Sequence, residues 1–225
     1  MFRNRGGFLA LVLIPLLSFG CGGTNDSAKS GPATSSDPAI AASALINPNL
    51  ASEDQLASVP GVTAEAAAAL AGGRPYLTAS DLHAALSGAI GAEAALAAYG
   101  ALWLPINLND VTTEEVLRIP GVGERMAHEF EEYRPYEDMD EFRHEIGKYA
   151  DEDEVERLAR YVYVPLGLNT ASREQLMAVP GMTERMAHEF EEYRPYTDLD
   201  QFRREIGKYV DEDEVARFER YVTLD

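Results

Sequence analysis

Pro60-Gly61, Pro120-Gly121 and Pro180-Gly181 recur at intervals of sixty residues, and the sequence around each pair is the same unit written three times. The last two copies share Met-Ala-His-Glu-Phe-Glu-Glu-Tyr-Arg-Pro-Tyr without a change, at 126–136 and 186–196. The first copy keeps the frame: Val59-Pro60-Gly61-Val62, then Arg74-Pro75-Tyr76. The three align without a gap. A period this regular specifies a repeat architecture, in which each unit buries its core alone or against its neighbours. The boundaries fall at 45–104, 105–164 and 165–225.

Within a unit the turn chemistry and spacing predict four short helices in two pairs. Ser52-x-x-Gln55, Thr112-x-x-Glu115 and Ser172-x-x-Gln175 are capping boxes. In the middle copy a helix follows with Val116, Leu117 and Ile119 turned inward. Pro120 stops it, and Gly121, free to take positive φ, turns the chain. A second helix starts near Glu124, with Met126, Ala127, Phe130 and Tyr133 at helical spacing, and ends at Arg134-Pro135. Asp138-x-x-Glu141 opens a third, with Phe142 and Ile146 inward. Asp151-x-x-Glu154 opens a fourth, whose stripe is Val155, Leu158 and Val162. No segment alternates long enough to predict a strand. The expected fold class is therefore all-α, as three tandem units of about 60 residues each. They form either one elongated array or three small domains. The Ala-rich first copy, with few bulky apolar residues, is expected to be the least stable or a cap.

The N-terminus reads as an address. Arg3 and Arg5 precede an apolar run from Phe8 to Leu17, broken by Pro15. The run is too short to span a bilayer and reads as a signal peptide over 1–20. Cys21 is the only cysteine, so no intramolecular disulfide forms. Its place after Gly20 resembles a bacterial lipoprotein lipobox, which implies lipidation of Cys21 and a membrane anchor in the cell envelope. Ordinary cleavage without lipid is the alternative. Residues 21–44 are Gly, Ser, Ala, Thr, Pro and Asp-rich and read as a flexible tether.

The formal net charge is -19, and residues 101–225 hold 15 Lys and Arg against 31 Asp and Glu. Such a chain repels nucleic acid at long range unless its field is locally reversed. The four histidines lack ligand spacing, and no second cysteine exists, so no zinc site is expected. Asp151-Glu152-Asp153-Glu154 and its copy at 211–214 lack the loop glycine of a calcium hand and serve as helix starts. No serine sits in a glycine elbow with a partnered histidine. No cofactor, metal or catalytic residue is expected, and function points to binding.

Asn47-x-Asn49 and Asn107-x-Asn109, with Asn169 in the third copy, lead into the capped helix. Ile119-Pro-Gly-Val-Gly123 then opens a helix with a small residue in its first turn. This resembles a helix-hairpin-helix motif, and the whole unit resembles the corresponding domain of ComEA-type competence proteins, over 45–225. The resemblance implies DNA binding without sequence reading, through backbone amides at the hairpin and the positive end of the second helix. Carried over, the phosphate-facing positions are Gly121, Val122 and Gly123, then Gly181, Met182 and Thr183, and Gly61, Val62 and Thr63. Arg125 and Arg185 are the nearest cations, with Arg118 a further one. The competing reading rests on Glu124 and Glu184 at the helix starts. These acids cap the dipole themselves, which leaves an envelope protein-interaction or structural module.

Overall fold

Helix starts set the architecture of residues 45–224, the part of the chain that the computed structural model describes. The expected signal peptide at 1–20, Cys21, the expected linker and Asp225 lie outside the described residues. Among the described residues twelve short helices and four two-residue strands follow one another. The first sixty-residue segment holds α1 (Glu53–Ala57), α2 (Ala64–Gly72), α3 (Ala79–Ile90) and α4 (Ala92–Ala98). The second holds β1 (Ile106–Asn107), α5 (Thr113–Val116), α6 (Glu124–Glu132), α7 (Met139–Ile146), α8 (Glu152–Ala159) and β2 (Val162–Tyr163). The third holds β3 (Leu166–Gly167), α9 (Arg173–Ala178), α10 (Glu184–Glu192), α11 (Leu199–Ile206), α12 (Glu212–Glu219) and β4 (Val222–Thr223).

Each first helix starts at a complete capping box. Ser52, Thr112 and Ser172 accept from the amides of Gln55, Glu115 and Gln175, whose side chains reach back to the cap. Asp138, Asp151, Asp198 and Asp211 cap the later helices with their carboxylates. Val116 and Ile119 are buried, but Leu117 is exposed, against expectation. Helix α5 is one turn long and ends at Val116, so Val116 and Ile119, three apart, face inward while Leu117 points out.

The strands were not expected either. Ile106 and Asn107 pair in parallel with Val162 and Tyr163, and Leu166 and Gly167 with Val222 and Thr223. A single parallel bridge joins Ile46 to Leu102 in the first segment. Each segment thus closes its beginning on its own end. Two residues are too few to write an alternating pattern. Val162, expected on the last helix, lies in β2 because α8 ends at Ala159.

A second closure is made by side chains. Asn49, Asn109 and Asn169 each bond both the N–H and the C=O of a tyrosine 27 residues on, Tyr76, Tyr136 and Tyr196. Beside them Arg74 donates to the carbonyls of Pro48 and Ala51, and Arg194 to those of Leu168 and Ala171. The Arg–Pro bonds at 74–75, 134–135 and 194–195 are cis. These clamps hold the loop after each second helix against the start of its segment.

The described residues belong to one compact unit. The first two segments share one apolar core running from Ala51 to Val164, and the third builds its own from Leu168 to Val222. Trp103 donates its indole N–H to the Tyr161 carbonyl at 2.8 Å and stacks edge-on against Tyr99 and Tyr161. Arg220 reaches from the third segment to the Pro105 carbonyl at 2.8 Å.

Adjacent segments meet through one kind of junction. Ser80, at the start of α3, donates to Glu115 at 3.2 Å and lies 3.5 Å from Arg118. At the next boundary Met139, Arg143 and Ala159 face Gln175, Ala178 and Val179 across a cavity of 260 Å³.

Candidate functional site: the Pro-Gly hairpins

The three hairpins are tight turns of one type. The carbonyls of Val59, Ile119 and Val179 accept from the amides of Val62, Val122 and Met182 at 3.0, 3.0 and 2.9 Å. Gly61, Gly121 and Gly181 take φ of 85°, 82° and 76°. Proline second, glycine third with positive φ, and a closing bond from first to fourth residue define a type II turn. The bond has a consequence for the expected phosphate sites. The amides of Val62, Val122 and Met182 are already donated within the turn and do not face an external anion. The side chains of Val62 and Met182 are buried, and Val122 is half-buried.

The amides that remain belong to the first turn of the following helix, and there the hairpins differ. Thr63 and Thr183 accept from the amides of Ala66 and Met186 at 3.2 Å each. Gly123 has no side chain, and no side-chain bond caps α6. The middle hairpin therefore leaves its helix start open where the other two close theirs. Gly61, Gly121, Gly123 and Gly181 are all exposed.

The expected cations do not converge. Arg118 is turned into the junction with the first segment. It bonds Glu114 at 2.7 Å, and its side chain is only 13 % exposed. Arg185 lies over the Tyr209 ring at 5.5 Å. Arg125 is exposed at the start of α6. Glu124 and Glu184 occupy the first positions of α6 and α10, both exposed, with Glu184 3.6 Å from Arg173. Glu65 occupies the second position of α2. Its own backbone amide, then the Thr63 hydroxyl, hold its carboxyl below the usual value.

Two arginines that local motifs do not reveal sit against the hairpins instead. Arg217 of α12 is buried, donates to the Pro180 carbonyl, and bonds Glu214 twice at 2.6 and 2.5 Å. A Cβ on Gly181 would lie 2.8 Å from its Nη2 and 3.0 Å from Leu50 of the first segment. Arg157 of α8 repeats the arrangement, held by Glu154 at 2.6 Å through two nitrogens and 3.3 Å from a Cβ on Gly121. The Glu154 hydrogen bonds push the Arg157 guanidinium up, and those of Arg157 pull the Glu154 carboxyl down. The first segment has Ala97 at this position. The only sequence signal for these contacts is the i, i+3 Glu–Arg pair on a helix whose N-cap is acidic. That pattern reads as a solvated ion pair.

A further constellation repeats beside the hairpin helices. Glu129 and Glu189 are buried, each with one carboxylate oxygen unpartnered. Next to them the Tyr133 and Tyr149 hydroxyls meet at 2.8 Å, as do those of Tyr193 and Tyr209. Lys148 and Lys208 lie over Tyr133 and Tyr193 at 5.0 and 4.8 Å. In the first segment Ala69, Gly73, Gly88 and Ala89 replace these residues and line a shallow groove of 350 Å³.

Comparison with protein-family models, curated proteins and solved structures found no match to this chain.

Proposed function

We propose that the chain is a non-catalytic protein of three tandem helix-hairpin-helix units, held in the cell envelope through Cys21, that works by contact with other proteins. One observation carries this reading: the guanidinium groups nearest the hairpins are already occupied. Arg157 and Arg217 are chelated by Glu154 and Glu214, and Arg118 is paired with Glu114 inside a junction. What faces solvent at the hairpins includes Glu124 and Glu184. Affinity for a nucleic-acid backbone comes mainly from cations that displace its counterions. These hairpins supply few free ones.

A second reading, sequence-independent DNA binding with a role in DNA uptake, is favoured at one place. The middle hairpin couples an uncapped helix start with the exposed Arg125. Anisotropy titration of the chain against a labelled duplex separates the two. The protein-contact reading expects no saturable binding at physiological salt. Binding there that Arg125→Glu weakens selects DNA as the partner.

A further inference from the structure

The two junctions inside the chain use equivalent positions but do not fill them equally. In the first, Tyr99 follows α4 and is fully buried. Its ring stands edge-on to Trp103 at 5.0 Å, and its hydroxyl lies 2.7 Å from Nδ1 of His83. Arg118 reaches this pair from the next segment, and its charge acts on both the phenol and the imidazole.

Sixty residues on, the same positions carry smaller groups. Ala159 stands for Tyr99, Ala178 for Arg118 and Tyr163 for Trp103. Leu102, Leu104 and Ile119 become Val162, Val164 and Val179. Of the residues around the space, only Met139, for Ala79, and Arg143, for His83, are larger than their counterparts. The balance is the cavity of 260 Å³ between the second and third segments. The Tyr99 ring has no counterpart in it.

The walls of the cavity are Met139, Val162, Val164, Leu166, Val179 and Pro180, with the rings of Tyr163 and Tyr221 tilted against each other at 4.6 Å. The two tyrosine hydroxyls are taken up by Arg220, one by its carbonyl and one by its guanidinium. Gln175 and Ala178 are exposed at the rim, so the space opens to solvent. An apolar cavity of about 150 Å³ already accepts benzene. The larger volume here leaves room for a ring and its substituents.

Arg143 supplies the polar end. Its Nε donates to Glu156 at 2.7 Å and its Nη1 to Asp140 at 3.2 Å. With two carboxylates on it, the guanidinium offers a hydrogen bond rather than a net charge. A neutral hydroxyl suits that donor. A ligand carboxylate would meet Glu156 and Asp140, on a chain of net charge -19.

We propose that this cavity binds a small neutral aromatic molecule of the phenol class. Its ring takes the place that Tyr99 fills in the first junction, and its hydroxyl accepts from Arg143, the counterpart of His83. This site needs no partner protein, so it stands or falls separately from the protein-contact reading.

Isothermal titration calorimetry of the full chain with p-cresol tests this, with methyl resonances of Met139, Val162 and Val179 as the local readout. Binding should saturate with a Kd below about 1 mM and shift those methyls. Ala159→Tyr puts the first junction's ring into the cavity and should weaken binding at least about tenfold. Ala178→Arg fills from the exposed rim, where the fold tolerates it, and should weaken binding too; it decides the matter if Ala159→Tyr does not fold. The carboxylate p-toluate should bind at least about tenfold more weakly than p-cresol. Arg143→Met keeps an apolar body and removes the donor, so it should abolish the preference for p-cresol over p-xylene while the ring still binds. No binding in the millimolar range overturns the inference. So does binding that neither filling variant weakens, p-toluate binding as tightly as p-cresol, or a hydroxyl preference that survives in Arg143→Met.

Discussion

The side-chain amide of Asn109 satisfies both backbone groups of Tyr136: its Nδ2 donates to the carbonyl at 2.9 Å and its Oδ1 accepts from the N–H at 2.8 Å. Asn109 is itself oriented by Asn107, whose Oδ1 accepts from its backbone N–H at 2.9 Å. The Asn-x-Asn motif is thus a device that positions the hairpin helix from outside it. Asn109→Ala leaves a donor and an acceptor without partners and should cost about 1–3 kcal/mol in urea unfolding. Asn109→Asp keeps the acceptor and should cost less. A loss indistinguishable from that of an exposed Asn→Ala change would contradict the clamp.

The hairpin glycines should not be equivalent. Gly61→Ala meets only Ala94, 3.8 Å away, so its cost is the positive-φ strain of about 1–2 kcal/mol. Gly181→Ala adds a clash with Arg217 at 2.8 Å and Leu50 at 3.0 Å. It should cost at least about 1 kcal/mol more. Equal losses of stability would show that Arg217 and Leu50 yield freely.

Arg217→Leu removes the donor to Pro180 and leaves Glu214 unpaired. We expect a loss of about 2–4 kcal/mol, with part regained in Arg217→Leu/Glu214→Gln. Arg157→Leu should cost less, because the Arg157 side chain is 25 % exposed against 4 % for Arg217. A larger effect at Arg157 would reverse this ranking.

His83 couples the first junction to pH. Its Nδ1 lies 2.7 Å from the Tyr99 hydroxyl. Burial pushes that phenol up to about 12, so at neutral pH it keeps its proton and can donate. Burial first, then the Arg118 charge, hold the imidazole below its ordinary 6.5, and Glu114 opposes them. Between 6.5 and the lower folded value the unfolded chain binds a proton that the folded chain does not, so stability falls as pH drops through that window. His83→Gln should flatten the urea midpoint across it. A nuclear magnetic resonance titration of His83 with a midpoint at or above 6.5 would contradict the assignment.

What the sequence made legible was local. Ser52-x-x-Gln55 and its two copies form the caps their spacing predicts, and Pro120-Gly121 forms the turn its two residues encode. The chain is mostly helical, as the spacing of apolar residues implied. Partnerships across distance were not legible. Asn109 meets Tyr136 after 27 residues, β3 meets β4 through two residues a side, and Arg217 reaches the Pro180 carbonyl 37 positions away. None has a periodicity to announce it. One feature was legible and unused: a type II turn takes up the amide of its fourth residue, so Pro-Gly already placed the N–H groups of Val62, Val122 and Met182 in the turn's own hydrogen bond. Arg118 misled because a cation two residues before the hairpin reads as part of it. The structure instead spends it on Glu114 and the neighbouring segment.

The most direct test is fluorescence anisotropy of a labelled DNA duplex titrated with the full chain at low and physiological salt, beside Arg125→Glu. With Arg118, Arg157 and Arg217 paired to Glu114, Glu154 and Glu214, and with Glu124 and Glu184 facing solvent, the account predicts no saturable binding at physiological salt. Any weak binding at low salt should vanish as salt rises. Saturable binding at physiological salt, lost on Arg125→Glu, would contradict it and make the open helix start behind Gly123 a phosphate site.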